Sequence, residues 1–410
     1  MILRSCIKKY KTDTHRAFSP EETLDRIAPK MELAGITRVA DITNLDRIGI
    51  PVFSSIRPAA DKGAISVYNG KGATPAEARV SAMMEGIERY SAEVHDKDLV
   101  VETFSKLKSE TNVIDPRDLI LPRDANPEMA IPWVEGYDLI RKEEVMVPAS
   151  AVFHPLTREY SQLFRTNTNG LASGNVLEEA VFHGLSEVIE RDAWSLVETV
   201  RNTGPLVSNV DDGLAAGLIE KFANAEVDVR IKDITSDVGI PTIAAASDDV
   251  KLKDPALLTI GMGTHTSAEV AVLRALTEVA QSRLTQIHGA REDTTTADFR
   301  RQIGYDRTKR LNKHWFGDSE TRPFAEIESH DSEDFLDDIN LMLKRLEGVG
   351  MDRAIVADLT REEIGVPVVR VIVPGLEQSA MDQDRRGQRC RDEIKRHRRL
   401  SRAKPRYSEG

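Results

Sequence analysis

The chain has 410 residues, 40% of them apolar and 30% charged, with a formal net charge of −11. That length supports one large core or two to three domains, and the composition excludes a disordered chain. No apolar stretch is long enough to cross a membrane, Met1 to Cys6 lacks the apolar run of a leader, and Cys6 and Cys390 stand far apart without zinc-type spacing, so the expectation is a soluble cytoplasmic protein.

The opening segment, Tyr10 to Arg16, is polar and turn-like. Ser19, Pro20 and Glu22 then form a helix-start signal that predicts a helix over 20–33. Strands are expected at Ile48 to Phe53 and at Ala64 to Tyr68, both bounded by Gly and Pro. After Gly70-Lys71-Gly72, Thr74 as cap, Pro75 and Glu77 open a helix that runs through Arg89.

The same unit recurs twice. Gly170 to Gly174 leads into Asn175 as cap and Glu178, with a helix through Trp194. Gly261-Met262-Gly263 leads into Thr266 and Glu269, with Glu278 and Gln281 further on. Strands are expected just before each turn, at Val67-Tyr68, Tyr160 to Phe164 and Ala256 to Ile260. Strand, glycine turn and long helix, repeated about every hundred residues, predict an α/β (α+β) fold of three related units in a pseudo-threefold core. The polar stretch Glu292 to Asp338 reads as loops or insertions, and Pro367 to Gly375 as a strong strand. Residues 381–410 carry eleven Lys or Arg against five Asp or Glu. A solvated helix whose arginines pair with the chain's own acidic surface explains that tail better than nucleic-acid binding does.

Glu85-Gly86-Ile87-Glu88-Arg89 and Glu187-Val188-Ile189-Glu190-Arg191 repeat one pattern at the helix ends. Carboxylates three apart share a helix face at about 5–6 Å, so two facing helices would gather four of them. Such charge needs cations, and hard oxygen donors select Mg²⁺, Ca²⁺ or Mn²⁺. The competing reading is a pair of i,i+4 salt bridges on solvated helices, which the repetition disfavours. Gly70 to Gly72 at a helix start is a weak phosphate signal. From Asn175 and Glu179 to Glu187 and Glu190 the helix covers roughly 12–17 Å, about the reach of ATP from sugar to γ-phosphate. Arg191 and Arg283 are the candidate phosphate neutralisers. His15, His183 and His265 are possible acid/base groups, more simply explained as structural.

These two stretches, Gly70 through Arg89 and Asn169 through Arg191, resemble the YcaO family. Thr14-His15-Arg16 and Leu45 to Phe53 are most similar to its methanogen branch, methanogenesis marker protein 1. The resemblance implies an ATP-dependent enzyme that phosphorylates a backbone amide oxygen and lets a nucleophile replace it. It implies Mg²⁺ on Glu85, Glu88, Glu187 and Glu190, and ATP contacts from Asn175, Glu179, Arg191 and Arg283, with Arg16 and Thr23 at N-terminal phosphate positions. Ala172 departs from members with serine there. Lys404 to Gly410 lacks the proline-rich end of azoline-forming members. External sulfide and a thioamide product are therefore implied, as thioglycine in the α subunit of methyl-coenzyme M reductase. A homodimer also follows by likeness, while the sulfide source, free or delivered by a partner protein, is left open by the sequence. An azoline-forming cyclodehydratase and a non-catalytic ATP-binding assembly factor are the alternatives. The expected division is an N-terminal segment (1–60), a catalytic core (61–380) and a basic tail (381–410).

Overall fold

The computed structural model describes residues 1–94, 99–157, 159–291 and 295–403. The first part holds α1 (Pro20–Ile27), β1 (Arg38–Asp41), β2 (Val52–Ile56), β3 (Val67–Lys71) and α2 (Pro75–Ser91). Next come β4 (Val100–Glu102), α3 (Phe104–Glu110), β5 (Ile131–Asp138), β6 (Glu143–Pro148), β7 (Leu171–Ser173) and α4 (Leu177–Val200). They are followed by β8 (Leu206–Ser208), α5 (Gly213–Asn224), β9 (Asp228–Asp233), β10 (Thr242–Asp248), β11 (Thr259–Thr264) and α6 (Ala268–His288). The chain closes with α7 (Thr295–Ile303), α8 (Tyr305–Leu311), α9 (Lys313–Phe316), β12 (Thr321–Pro323), α10 (Phe335–Gly348), β13 (Ile355–Asp358), β14 (Val368–Ile372) and α11 (Gln388–Ala403).

The strands form three sheets, ordered β1-β2-β3, β11-β10-β9-β8-β12 and β4-β5-β13-β14-β7 with β6 added to β5. Neighbours are antiparallel except β8 and β12. The strand before each long helix, β3, β7 or β11, is the edge of a different sheet. Helix α2 lies against β3 and β7, α4 against β7 and β11, and α6 against β11 and β3. Three apolar clusters follow the same division: Met83 and Ile87 of α2 pack with Trp133 and Phe153, Phe182 and Ile189 of α4 with Phe335 and Val371, and Ala271 and Leu276 of α6 with Ile243. The expected mixed α/β class is thus observed, with three strand-helix units at its centre.

Several local expectations change. Helix α1 has the Ser19–Glu22 capping box but stops at Ile27, because Pro29 removes a donor, and a 3₁₀ turn replaces its last residues. Gly70 and Lys71 belong to strand β3 rather than to a turn. A Cβ on Gly70 would come within 1.9 Å of the Ala82 amide nitrogen, and one on Gly261 within 2.4 Å of Val279 nitrogen. These glycines let helix backbone lie directly on strand backbone, which is their physical reason.

Asn175 does not cap α4; Val176 holds that position without a side-chain bond, and in α6 Ser267 replaces Thr266 as cap. The expected strand over 160–164 is irregular chain whose Leu163 and Phe164 fill the core, and the second unit uses β7 instead. Nor is the polar stretch before Asp338 merely loop. Trp315 and Phe316 are buried and β12 extends a sheet, so aromatic burial outweighs the polar composition; Glu292 to Thr294 lie outside the described residues.

The basic C-terminal residues form α11 on α4, where Arg389 forks onto fully buried Asp192 at 2.8 and 2.9 Å and reaches Asp237 at 2.5 Å. Lys404 to Gly410 lie outside the described residues. Among the described residues no helix is long and apolar enough to cross a membrane.

Candidate functional site

A cavity of about 350 Å³ lies where α2, α4 and α6 converge, with residues 13–23 supplying part of its wall. Every sequence-predicted site residue except Arg283 lines it: Arg16, Thr23, Glu85, Glu88, Asn175, Glu179, Glu187, Glu190 and Arg191. Helical spacing explains the convergence. At about 100° per residue, positions three and four apart share a face, so each Glu-x-x-Glu-Arg end presents both acids and the arginine to the same space.

The acids are held apart by their own cations. Glu85 accepts from Arg89 at 2.8 and 2.5 Å. Glu88 accepts instead from Ser173, at 2.9 Å from its backbone nitrogen and 2.7 Å from its hydroxyl. Arg191 stands 4.0 Å from Glu187 and 3.7 Å from Glu190. Helix α6 adds a fifth carboxylate, Glu278, bonded to Lys71 at 2.6 Å.

Burial, together with the neighbouring Glu85, pushes Glu88 up to about 8. Burial likewise raises Glu187 and Glu190. At Glu85 burial pushes the same way, but Arg89 outweighs it and holds this carboxyl below its ordinary value. Among the described residues no three acidic, histidine or cysteine side chains form a ready metal cluster. The donors nevertheless suit a hard cation. They are carboxylate oxygens under mutual repulsion, and Mg²⁺ ordinarily takes only one or two protein carboxylates, completing its shell with water and phosphate oxygens.

At the other end of the cavity, Asn175 donates to both Glu179 oxygens at 3.2 and 3.3 Å and accepts from the Thr23 hydroxyl at 2.9 Å. Those bonds draw Asn175 away from capping. Glu179 also accepts from the Ala17 amide at 2.8 Å, and Arg16 lies 3.7 Å from it with its guanidinium against His183. The N-terminal segment is thereby tied to α4 at the site.

Arg283 is a correction. It is fully buried, bonding Asp46 at 2.8 and 3.2 Å and Asp249 at 3.1 Å, while Arg47 forks onto Asp249 at 2.8 Å. Five residues beyond Glu278, it points about 140° round the helix, away from the cavity. Sequence reasoning missed Arg274, which lines the cavity with its buried Nε unpartnered among the described residues. Its signal was spacing: four residues before Glu278 is about 40° away, on the same face.

Three strand-helix units closing on a cavity of carboxylates and arginines define a protein built to take a phosphate-bearing ligand with a hard cation. A family model described as YcaO cyclodehydratase, ATP- and Mg²⁺-binding, matches residues 69–377, and the chain belongs to the YcaO family. An uncharacterized protein of Methanothermobacter thermautotrophicus is 52% identical over 386 residues, spanning 92% of this chain and 99% of its own. YcaO from Methanopyrus kandleri, solved with AMPPCP and Mg²⁺, matches at a TM-score of 0.79 and 31% identity over 93% of this chain and 98% of that one. A heterocyclase solved with substrate and cofactor shares the fold, with a TM-score of 0.78 and 23% identity, over 92% of this chain and 54% of the longer one. The chain is accordingly an ATP-dependent enzyme of this family, with ATP and Mg²⁺ as cofactors.

Proposed function

We propose that the chain activates a backbone amide of a protein substrate by O-phosphorylation and that external sulfide then displaces the phosphate, leaving a thioamide. The substrate we assign is a glycine in the α subunit of methyl-coenzyme M reductase, modified in the cytoplasm by a homodimer supplied with sulfide, directly or by a partner protein. The observation that carries the reading is the cavity itself, where acids on α2 and α4 face arginines and neither cysteine is present. Cys390 is buried elsewhere, with its thiol pushed up to about 11 by burial, which supports a sulfur source outside the chain. The resemblance of Thr14-His15-Arg16 and of Leu45 to Phe53 to the methanogen branch supports the choice of substrate.

In this reading Glu85, Glu88, Glu187 and Glu190 are the oxygen donors for Mg²⁺. Asn175, Glu179, Arg16 and Thr23 hold one end of the nucleotide, and Arg191 and Arg274 meet its phosphates. ATP supplies the phosphoryl group that makes the amide oxygen a leaving group, while Mg²⁺ spreads the phosphate charge. Arg191 and Arg274 neutralise charge on the transferring oxygens, Ser173 orients Glu88, and the N-terminal wall excludes water. Arg283 has no part in it.

Incubation with a glycine-containing substrate peptide, Mg-ATP and sulfide should give the mass gain of oxygen-to-sulfur exchange, lost in Glu190→Ala. A second reading, azoline formation, is favoured by the heterocyclase likeness and the family's cyclodehydratase description. It predicts loss of water from a Cys-, Ser- or Thr-containing peptide without added sulfide. Nucleotide binding with no peptide-dependent ADP release, and no change in Glu190→Ala, would leave only an assembly factor.

A further inference from the structure

A second cavity, of about 40 Å³, is lined by Phe164, Asn169, Val188, Arg370 and Arg385. Both guanidinium groups are almost completely buried, at 3% and 2% exposure, and neither forms a salt bridge among the described residues. Their hydrogen bonds go to neutral oxygens, all of them backbone carbonyls except the Asn167 side-chain amide, which accepts from Arg370 at 3.3 Å. Arg370 donates to the Ala151 carbonyl at 3.0 Å and the Asn167 carbonyl at 2.7 Å; Arg385 donates to those of Ile120 at 3.0 Å and Leu119 at 2.6 Å. Arg385 also stacks 3.7 Å from the Phe164 ring centre. Arg370 Nη1 is buried with no hydrogen-bond partner among the described residues.

Carbonyl oxygens satisfy donors but cancel no net charge, and a buried unpaired charge is costly. Burial pulls Arg370 down to about 9, with Arg89 and Arg385 adding repulsion and Glu187 opposing it. Burial pulls Arg385 down to about 10, against the weaker pull of Asp382. A single water would satisfy Nη1 and leave both charges standing. The Asn169 Oδ1 atom is also unpartnered, and turning that amide would present a second donor to the same space. The volume within reach of the two arginines suits a small, water-sized group. Apolar Val188 and Phe164 in the lining favour a weakly hydrated ion.

We infer that this cavity binds a small monovalent anion of halide size, chloride or hydrosulfide, with Arg370 Nη1 as its principal donor. The inference stands without the thioamide reading, because it rests on a cavity separate from the acidic one. Crystals grown in bromide and measured at the bromine edge should show an anomalous peak within hydrogen-bonding reach of Arg370 Nη1, absent in Arg370→Met. In solution, replacing sodium gluconate by sodium chloride at fixed ionic strength should raise the melting temperature of the unmodified chain and not of Arg370→Met. Loss of the bromide peak on anaerobic hydrosulfide soaking assigns the site to hydrosulfide, and its persistence assigns it to a halide. Water density without anomalous signal at high bromide overturns the inference. So does a peak or a chloride effect that survives in Arg370→Met. Should that variant fail to fold, the bromide map and the chloride dependence of the unmodified chain decide alone.

Discussion

Arg191 and Arg283 looked equivalent in sequence, each following an acid near the end of a long helix. The repeat supports Arg191, which returns to the face of Glu187 one turn later. In the third unit the corresponding residue is Ser282, and the arginine one position on faces inward, where Asp46 and Asp249 wait for it. Those partners lie 237 and 34 residues away in the chain, beyond what local spacing can reveal. The two arginines should therefore fail differently. Arg191→Met should weaken AMPPCP binding with Mg²⁺ by about 10- to 150-fold, the worth of a charge-assisted hydrogen bond of about 1.5–3 kcal/mol, with little change in melting temperature. Arg283→Ala should cost about 3–5 kcal/mol of stability by leaving buried Asp46 unpaired, while Asp249 keeps Arg47, with nucleotide affinity of the folded fraction unchanged. Titration calorimetry and urea unfolding separate these effects, and a nucleotide-specific loss in Arg283→Ala would contradict its structural role.

At the scale of elements, caps were legible where both partners lie within one turn. Ser19 with Glu22 and Thr74 with Glu77 form the boxes expected of them. Asn175 and Thr266 did not, because Thr23 and Asp338, from distant parts of the chain, take their side chains. The glycines before the helices were correctly read as boundaries, and Gly170, at positive φ, does sit in a turn, whereas Gly70, Gly261 and Gly263 lie in strands; sequence marks where a Cβ is forbidden without saying what forbids it. Gly70→Ala tests that contact. With Ala82 nitrogen 1.9 Å from the added methyl, α2 must move off β3, at a cost of about 1–3 kcal/mol or more, and Glu85 and Glu88 should shift with it. The opposite sign is expected at Gly217 in α5, where an added methyl meets nothing within 4 Å; Gly217→Ala should stabilise by about 0.4–1 kcal/mol. Urea midpoints measure both, and a Gly70→Ala protein as stable as its parent would mean that strand and helix are not in backbone contact.

Across the whole molecule, the N-terminal segment is fastened to the core by a buried polar cluster that spacing could not reveal. Lys8 pairs with Asp338 of α10, which also accepts from Thr266 at 2.6 Å. The His15 ring meets His265 edge-on at 4.6 Å, Phe182 lies 5.0 Å from His265, and Arg16 rests on His183. Burial, with the nearby Lys8, lowers His15 to about 3, and burial holds His183 and His265 well below the ordinary histidine value. These rings are neutral in the fold, whereas in the unfolded chain they titrate near 6.5. Between pH 6.5 and about 3 the unfolded state thus binds protons that the folded state refuses, so stability is full above 6.5 and declines as pH falls. Each such histidine contributes a slope of about 1.4 kcal/mol per pH unit once its unfolded form is charged. The urea midpoint should accordingly fall from pH 6.5 to 5, and His15→Asn should flatten that slope by one proton's worth. A midpoint constant over this range would show that the cluster is hydrated rather than sealed. Because the same segment brings Arg16 and Thr23 to the cavity wall, AMPPCP affinity should weaken over the same interval, ahead of global unfolding, as the N-terminal segment loosens first.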